Sequence, residues 1–246
     1  MSLLLALLAA AQPAGFAVEE RSELLEFSYA WPAEAEAIAL LRAHLAGEMA
    51  RARAGAARYA RTDRSESAAE GRPFEAHHYG AGWGVVGNGP VLLSIAAEIS
   101  SFTGGVHGNR DFAAILWDRA AGRRLDTARL LGPGALESLR PRFCAALDAM
   151  RADRRGSEPL EALADDDPFT ACPALARHAM APADRDGNGR FETLRVMLPP
   201  YAAGAYAEGE YVIDLAFESE DLAAIPDGLR SAFELPGERR APLPDE

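Results

Sequence analysis

Ser101-Phe102-Thr103-Gly104-Gly105-Val106-His107-Gly108-Asn109 is the stretch on which the fold of this chain turns. Glycine and asparagine accept positive φ at little cost, so these residues around one histidine read as a tight, shape-determined connection. Upstream, Val91, Leu93, Ile95, Ala97 and Ile99 alternate with Leu92, Ser94, Ala96, Glu98 and Ser100, the pattern of a half-buried strand running into the turn. Downstream, Phe112–Trp117 is the returning strand. Residues Phe74–Val86, with Gly80, Gly82 and Gly84 as bulge points, form the strand before, joined through the hairpin signal Gly87-Asn88-Gly89-Pro90.

Toward the N-terminus, Leu24–Tyr29 reads as a strand ended by Trp31-Pro32, and Pro32 suits the first turn of a helix. Ile38, Leu41, Leu45 and Met49 recur at helical steps, which predicts an amphipathic helix over Ala33–Tyr59, followed by a polar loop over Thr62–Gly71. Toward the C-terminus, Asp118–Arg124 turns around Gly122 and Gly132-Pro133-Gly134 is a break. A second helix over Ala135–Arg151 presents Leu136, Leu139, Phe143, Leu147 and Met150, and the charged segment Arg151–Asp167 reads as exposed, with one short helix within Glu158–Asp167. Leu175–Met180 reads as a strand, Asp184–Gly189 as a turn, and Leu194, Val196, Leu198 and Tyr211, Ile213, Leu215, Phe217 as two alternating strands before short helical turns over Glu218–Phe233. Strands arranged in hairpins, with helices between the groups, predict an α+β fold: antiparallel sheets with two main helices packed on them. The expected organisation is a signal peptide at 1–14, a strand-helix unit at 20–70, a sheet-and-helix unit at 71–235 and a flexible tail at 236–246.

The bulk composition narrows the function. The 246 residues are 49% hydrophobic, enough to bury a core, and carry a net charge of -12. An acidic surface argues against nucleic acid and anionic lipid and is compatible with a cationic protein partner. The chain has no lysine, which excludes P-loop and Schiff-base chemistry. Leu3–Ala11 is an apolar run followed by small residues, with candidate cleavage after Ala11 or Ala14. It resembles a secretory signal without the basic n-region, and is too short for a permanent membrane span. The expected location is periplasmic or secreted, and in an exported chain Cys144 and Cys172 are expected to form a disulfide.

Three phrases carry a family resemblance: Leu25–Pro32 before a helix, Ser101–Asn109 followed by Leu116-Trp117-Asp118, and Pro200-Tyr201-Ala202-Ala203-Gly204-Ala205-Tyr206-Ala207-Glu208-Gly209. Together they resemble the exported domain family found as the non-catalytic module of the peptidoglycan deacetylase PdaC and as the lysozyme-sensing ectodomain of the anti-sigma factor RsiV. The resemblance covers roughly residues 20–235; Ala205 stands where proline is common in the family. It implies a binding module in the cell envelope, with lysozyme or another basic protein, or peptidoglycan, as ligand. The sequence departs from both namesakes, showing neither the transmembrane helix and sigma-binding segment of the one nor the deacetylase domain of the other, and the expectation is a module that stands alone.

Candidate site residues are weighed against simpler roles. His107 could touch a ligand or orient a base, or only hold the glycine turn through a backbone bond. Asn109, Tyr201, Tyr206 and Glu208 join it as candidate ligand-binding residues from the family phrases. His77 and His78 on a strand point to opposite faces and do not chelate together, though one could approach His107 across the sheet. No two of the histidines have zinc-ligand spacing. Asp184, Asp186 and Asn188, with Gly189 and Phe191, match part of a calcium loop, but its twelfth position is Arg195 where a bidentate glutamate belongs. The simpler reading is a hairpin turn, and no metal and no cofactor are assigned. No nucleophile elbow or dinucleotide fingerprint is found. Asp165-Asp166-Asp167 is a solvated acidic loop or a patch for a basic partner. The expected function is therefore a non-enzymatic envelope binding module; the alternatives are an envelope-acting deacetylase or hydrolase using His107 with a carboxylate beside it, or an accessory structural module.

Overall fold

The computed structural model describes residues 14–156 and 169–237. The expected leader lies outside them except for Ala14, as do the Asp165–Asp167 acidic run, the short helix expected within 158–167, and the tail from residue 238. The strands are β1 (Ala14–Arg21), β2 (Leu25–Pro32), β3 (His77–Asn88), β4 (Leu92–Phe102), β5 (Asn109–Asp118), β6 (Arg123–Leu125), β7 (Ala179–Ala183), β8 (Thr193–Leu198) and β9 (Tyr211–Ala216). The helices are α1 (Ala33–Glu36), α2 (Ala39–Glu70), α3 (Thr127–Arg155), α4 (Ser219–Leu222) and α5 (Asp227–Arg230). Two sheets form, one of six strands in the order β1-β2-β3-β4-β5-β6 and one of three in the order β7-β8-β9. The fold is α+β with mostly antiparallel sheets and two long helices.

The hairpins around the opening stretch pair as expected, except that the irregularity of β3 falls between Val85 and Gly87, while Gly80, Gly82 and Gly84, the expected bulge points, pair regularly with Ser100, Glu98 and Ala96. β3 pairs antiparallel with β4, and β4 with β5, from Leu92–Asp118 to Ser101–Asn109. One pairing is not antiparallel: β2 runs parallel to β3, from Leu25–His77 to Ala30–Gly82. A parallel neighbour needs a long crossover, and α2 is that crossover. The position between residues 70 and 71, where two units were expected to divide, thus lies between strands that pair with each other.

Several elements differ from expectation: the helix expected over Ala33–Tyr59 is two, α1 and α2, parted where Ile38 is extended, and α3 begins at Thr127 rather than Ala135. α2 runs to Glu70 rather than ending near Tyr59. The stretch Thr62–Glu70 contains no glycine or proline, and it turns Asp63 and Ser67 inward while Thr62, Arg64, Ser65, Glu66 and Glu70 face water. β1 is a strand the sequence reading left unassigned; Phe16 stacks on Trp31 of β2 with ring centroids 4.0 Å apart. Leu175–Arg177 is a 3-10 turn, and the strand starts after it at Ala179.

Two cores result. α2 covers one face of the larger sheet, burying Leu41 and Leu45 against Phe27, Tyr29, Trp31, Leu93, Ile95 and Trp117. α3, the small sheet and the C-terminal segment enclose Leu139, Phe143, Phe191, Tyr211 and Phe233 with Leu92 and Leu116 of the large sheet. β4 and β5 are therefore buried on both sides near the Leu92 end, and β7 packs against β3, β4 and β5. Each large side chain so buried contributes about 1.5–3 kcal/mol. Cys144 of α3 and Cys172 form a disulfide.

Candidate functional site

The exposed feature with chemistry lies at the other end of β4 and β5. Gly104 and Gly105 take φ of 88° and 98°, which lets the chain leave β4, swing outward and return. This swing lifts Val106 fully into solvent and presents His107. The His107 ring stacks on Tyr206, with centroids 3.7 Å apart and planes at 18°. Tyr201 closes the group, its ring 6.2 Å from His107 and 5.6 Å from Tyr206, and it is 52% exposed. Tyr201 holds φ at 70°, the only described non-glycine residue with positive φ, a conformation that costs about 1–3 kcal/mol and concentrates at functional sites.

The hydrogen bonds orient the stack. His107 Nδ1 lies 2.9 Å from Gly108 O; a carbonyl only accepts, so Nδ1 carries the proton in the neutral ring. Nε2 then offers its lone pair to the Tyr201 hydroxyl at 3.4 Å, a long bond. The Tyr206 hydroxyl donates to Gly108 O at 2.7 Å and clamps the loop to the 3-10 turn Tyr206–Glu208. Among the described residues no carboxylate bonds to His107, so the arrangement expected of a catalytic histidine beside an acid is not what surrounds it.

Glu208 faces away from the stack. It accepts from Arg155 Nε and NH2 at 2.8 and 2.9 Å, from the Tyr211 hydroxyl at 2.5 Å and from Ala205 N at 2.9 Å. Partial burial works against its charge, yet the bonds from Tyr211 and Ala205 and the Arg155 guanidinium outweigh it and hold the carboxyl below its ordinary range. Arg154 donates to the Glu208 carbonyl and lies 4.1 Å over the Tyr211 ring. Asn109 opens β5 opposite Ser101 and is exposed. Next to it Arg110 pairs with Glu210 at 2.9 Å, tying the loop end of the large sheet to the segment before β9. Of the predicted site residues, then, His107, Tyr201 and Tyr206 meet; Asn109 borders them; Glu208 is the buttress behind them. Arg154 and Arg155 had no signal in the sequence, because the clamp joins positions 53 residues apart, and Tyr211, near Glu208 in sequence, reads there only as a strand residue.

His77 and His78 take separate partners: His77 Nε2 lies 2.9 Å from Asp63 Oδ2, and His78 Nε2 lies 3.0 Å from Ser100 Oγ. A cavity of about 610 Å³ is lined by Arg124, Asp126, Thr127, His178 and Met180, and none of the predicted site residues borders it. Burial there, reinforced by Arg177, pushes the His178 imidazole below its ordinary pKa.

The Asp184–Gly189 turn joins β7 to β8. Arg195, the twelfth residue of the partial calcium loop, sits on β8 and pairs with Asp214 through both oxygens at 2.8 and 2.9 Å. The third carboxylate of the turn comes instead from Glu192, the ninth position, which the sequence reading passed over. Burial, and the neighbouring Asp184 and Asp186 charges, push the Glu192 carboxyl up despite a backbone donor from Arg185.

Comparison with known folds places this architecture. The crystal structure of a DUF3298 family protein from Pseudomonas aeruginosa PAO1 superposes with a TM-score of 0.55 at 16% identity, over 85% of this chain and 91% of that one. A member of the same family from Bacteroides fragilis NCTC 9343 gives 0.54 at 16% identity, over 88% and 94%. The chain shares its fold with DUF3298 family proteins. These are the PdaC/RsiV-like domain family, so the resemblance read from the sequence phrases and the likeness of the backbones agree at the level of fold. No family sequence model matches the chain, and no curated protein matches it.

Proposed function

We propose that this protein is an exported, non-enzymatic binding module of the cell envelope, and that the His107–Tyr206–Tyr201 stack with Val106 is its ligand surface. The observation that carries the reading is the exposed stack itself. An aromatic group held at 3.7 Å, flanked by a half-exposed tyrosine and a fully exposed valine, has apolar area in water that the fold does not use. Tyrosine and histidine rings presented on a rigid turn are the groups that anchor interfaces, because they bury much area at little entropic cost. The occupant that best fits the net charge of -12 is a basic protein such as lysozyme. The RsiV-like phrases support the same choice. The disulfide fits an oxidising compartment, periplasmic or extracellular, and no described helix is long and apolar enough to cross a membrane.

Isothermal titration calorimetry of the purified protein against lysozymes, and separately against peptidoglycan fragments, tests this. The expected result is saturable heat with a lysozyme that weakens as salt rises. His107→Ala and Tyr201→Gly are expected to weaken binding by roughly tenfold or more, the loss typical of an interface anchor. Glycine adopts the φ of 70° at position 201 without strain, so Tyr201→Gly keeps or raises the melting temperature while it loses binding. Heat with glycan alone would move the module to peptidoglycan. No heat with either at high micromolar concentration removes the proposal.

A further inference from the structure

The Asp184–Glu192 turn holds a feature that the binding surface does not explain. Asp184, Asp186 and Glu192 each offer a carboxylate oxygen, and the three oxygens lie within 4.8 Å of one another. Acidic residues on a surface turn often gather without consequence. Glu192 is different: it is only 7% exposed, and its Oε2 is buried with no hydrogen-bond donor among the described residues. Leaving a buried carboxylate oxygen without a donor is costly. Arg185 gives its guanidinium to Asp214, and Arg190 donates to Ser231 O and pairs with Glu234 at 3.8 Å. Asp184 accepts from Gly187 N, Asn188 N and Gly189 N, and Asp186 from Asn188 N and Nδ2, whereas the buried Glu192 Oε2 has no donor among the described residues; a cation between the three carboxylates would offset their mutual repulsion and give that oxygen a partner.

We infer that the turn between β7 and β8 is a calcium site whose protein ligands are Asp184, Asp186 and Glu192. The ligands fall at the first, third and ninth positions of the loop, so Glu192 replaces the missing twelfth-position glutamate. A hard cation with all-oxygen ligands on a short Asp/Asn/Gly loop suits calcium, whose coordination is flexible, better than magnesium, which keeps its waters and demands an octahedron. The position gives the ion a structural task. Asn188 Nδ2 donates to Glu234 Oε1 at 2.6 Å, Phe191 N to Ala232 O at 2.9 Å, and Asp184 N to Val86 O at 3.2 Å. The loop therefore touches the small sheet, the C-terminal segment and the β3 end of the large sheet, and a bound ion braces all three together.

The whole protein, stripped with a chelator, is titrated with calcium chloride alone by calorimetry and melted with and without it. One site with a Kd of about 1 mM or tighter is expected. At a hundredfold excess over Kd the melting temperature is expected to rise by about 5–10 °C. Magnesium is expected to give a much smaller shift. Glu192→Gln keeps the acceptor for Arg185 N but removes the buried charge, so it melts no lower than the parent without calcium and loses the calcium-dependent rise. Asp186→Asn, at an exposed position, provides the same reading if the buried variant does not fold, with affinity down roughly tenfold or more. Absence of heat and of any melting shift up to about 10 mM calcium overturns the inference. So does a calcium-dependent rise that persists undiminished in both variants, which would mean ions bound elsewhere on the acidic surface.

Discussion

The division of labour between Tyr206 and Glu208, two positions apart, shows how this surface is made rigid. Tyr206 supplies the face on which His107 stacks, and Glu208 pins the same 3-10 turn to the end of α3 through Arg155. Glu208 and Arg155 are 15% and 14% exposed, so the pair sits largely out of water. Glu208→Gln leaves the Arg155 guanidinium without its counter-charge and is expected to cost about 2–3 kcal/mol, read from denaturant melts. The pH dependence follows from the sign of the shift. The Glu208 carboxyl titrates lower in the folded chain than in the unfolded one, so its contribution is full above the ordinary carboxylate range and is lost as pH falls through the folded value. Below the ordinary carboxylate range the parent is expected to lose stability faster than Glu208→Gln, and equal slopes would show that the clamp carries no charge-dependent stability. The sequence made His107, Tyr201 and Tyr206 legible because family phrases held them. It left the clamp invisible because Arg154 and Arg155 read as part of a charged, exposed run, and pairing across 53 residues leaves no mark in local spacing.

Among the elements, α3 is the one whose internal geometry departs most from its sequence pattern. Its buried residues Leu131, Ala135, Leu139, Phe143 and Leu147 follow helical spacing across a position that is not helical: Gly132 has φ 77° and ψ 166°. The expected break at Gly132-Pro133-Gly134 is thus a kink that redirects one continuous apolar stripe, with Pro133 opening the second segment. Gly132→Ala meets nothing nearer than Ala224 Cβ at 3.7 Å, so its cost is backbone strain alone, about 1–3 kcal/mol. Gly134→Ala, two residues on and with open space around it, is expected to stabilise by about 0.5–1 kcal/mol. Opposite signs from the same substitution, measured by urea unfolding, identify the kink; two equal changes would deny it. Strands β3 to β5 were readable because period-two alternation and the turn residues agree there. β1 was not, since its residues follow directly on an apolar leader-like run, and the parallel pairing of β2 with β3 was not, since both strands also have antiparallel neighbours and register across a crossover helix has no local signature.

For the molecule as a whole, the question is what fastens the segment after residue 169 to α3. Two restraints converge on it. One is the Cys144–Cys172 disulfide, which closes a separation of 28 residues. The other is Arg151, read from sequence as the start of an exposed charged stretch but buried in the structure, where it donates to Thr170 O at 2.9 Å, Ala171 O at 2.9 Å and Ala203 O at 2.8 Å. A loop of this size gives the disulfide about 3–4 kcal/mol in the chain-entropy model, so reduction is expected to lower the melting temperature by roughly 7–14 °C. Reduction alone does not release the segment, because Arg151 still holds its carbonyls. Arg151→Ala alone does not release it either, because the disulfide remains. Removing both restraints lets residues 169–173 open locally, and the combined loss is expected to exceed the sum of the separate ones. The direct reading is the rate at which iodoacetamide labels the reduced cysteines, which are partly buried in α3 and beside it. Labelling is expected to be slow in the reduced parent and roughly tenfold or more faster in reduced Arg151→Ala. Equal rates in the two reduced proteins would mean that the guanidinium does not hold the segment, and that the disulfide alone fastens it to the helix.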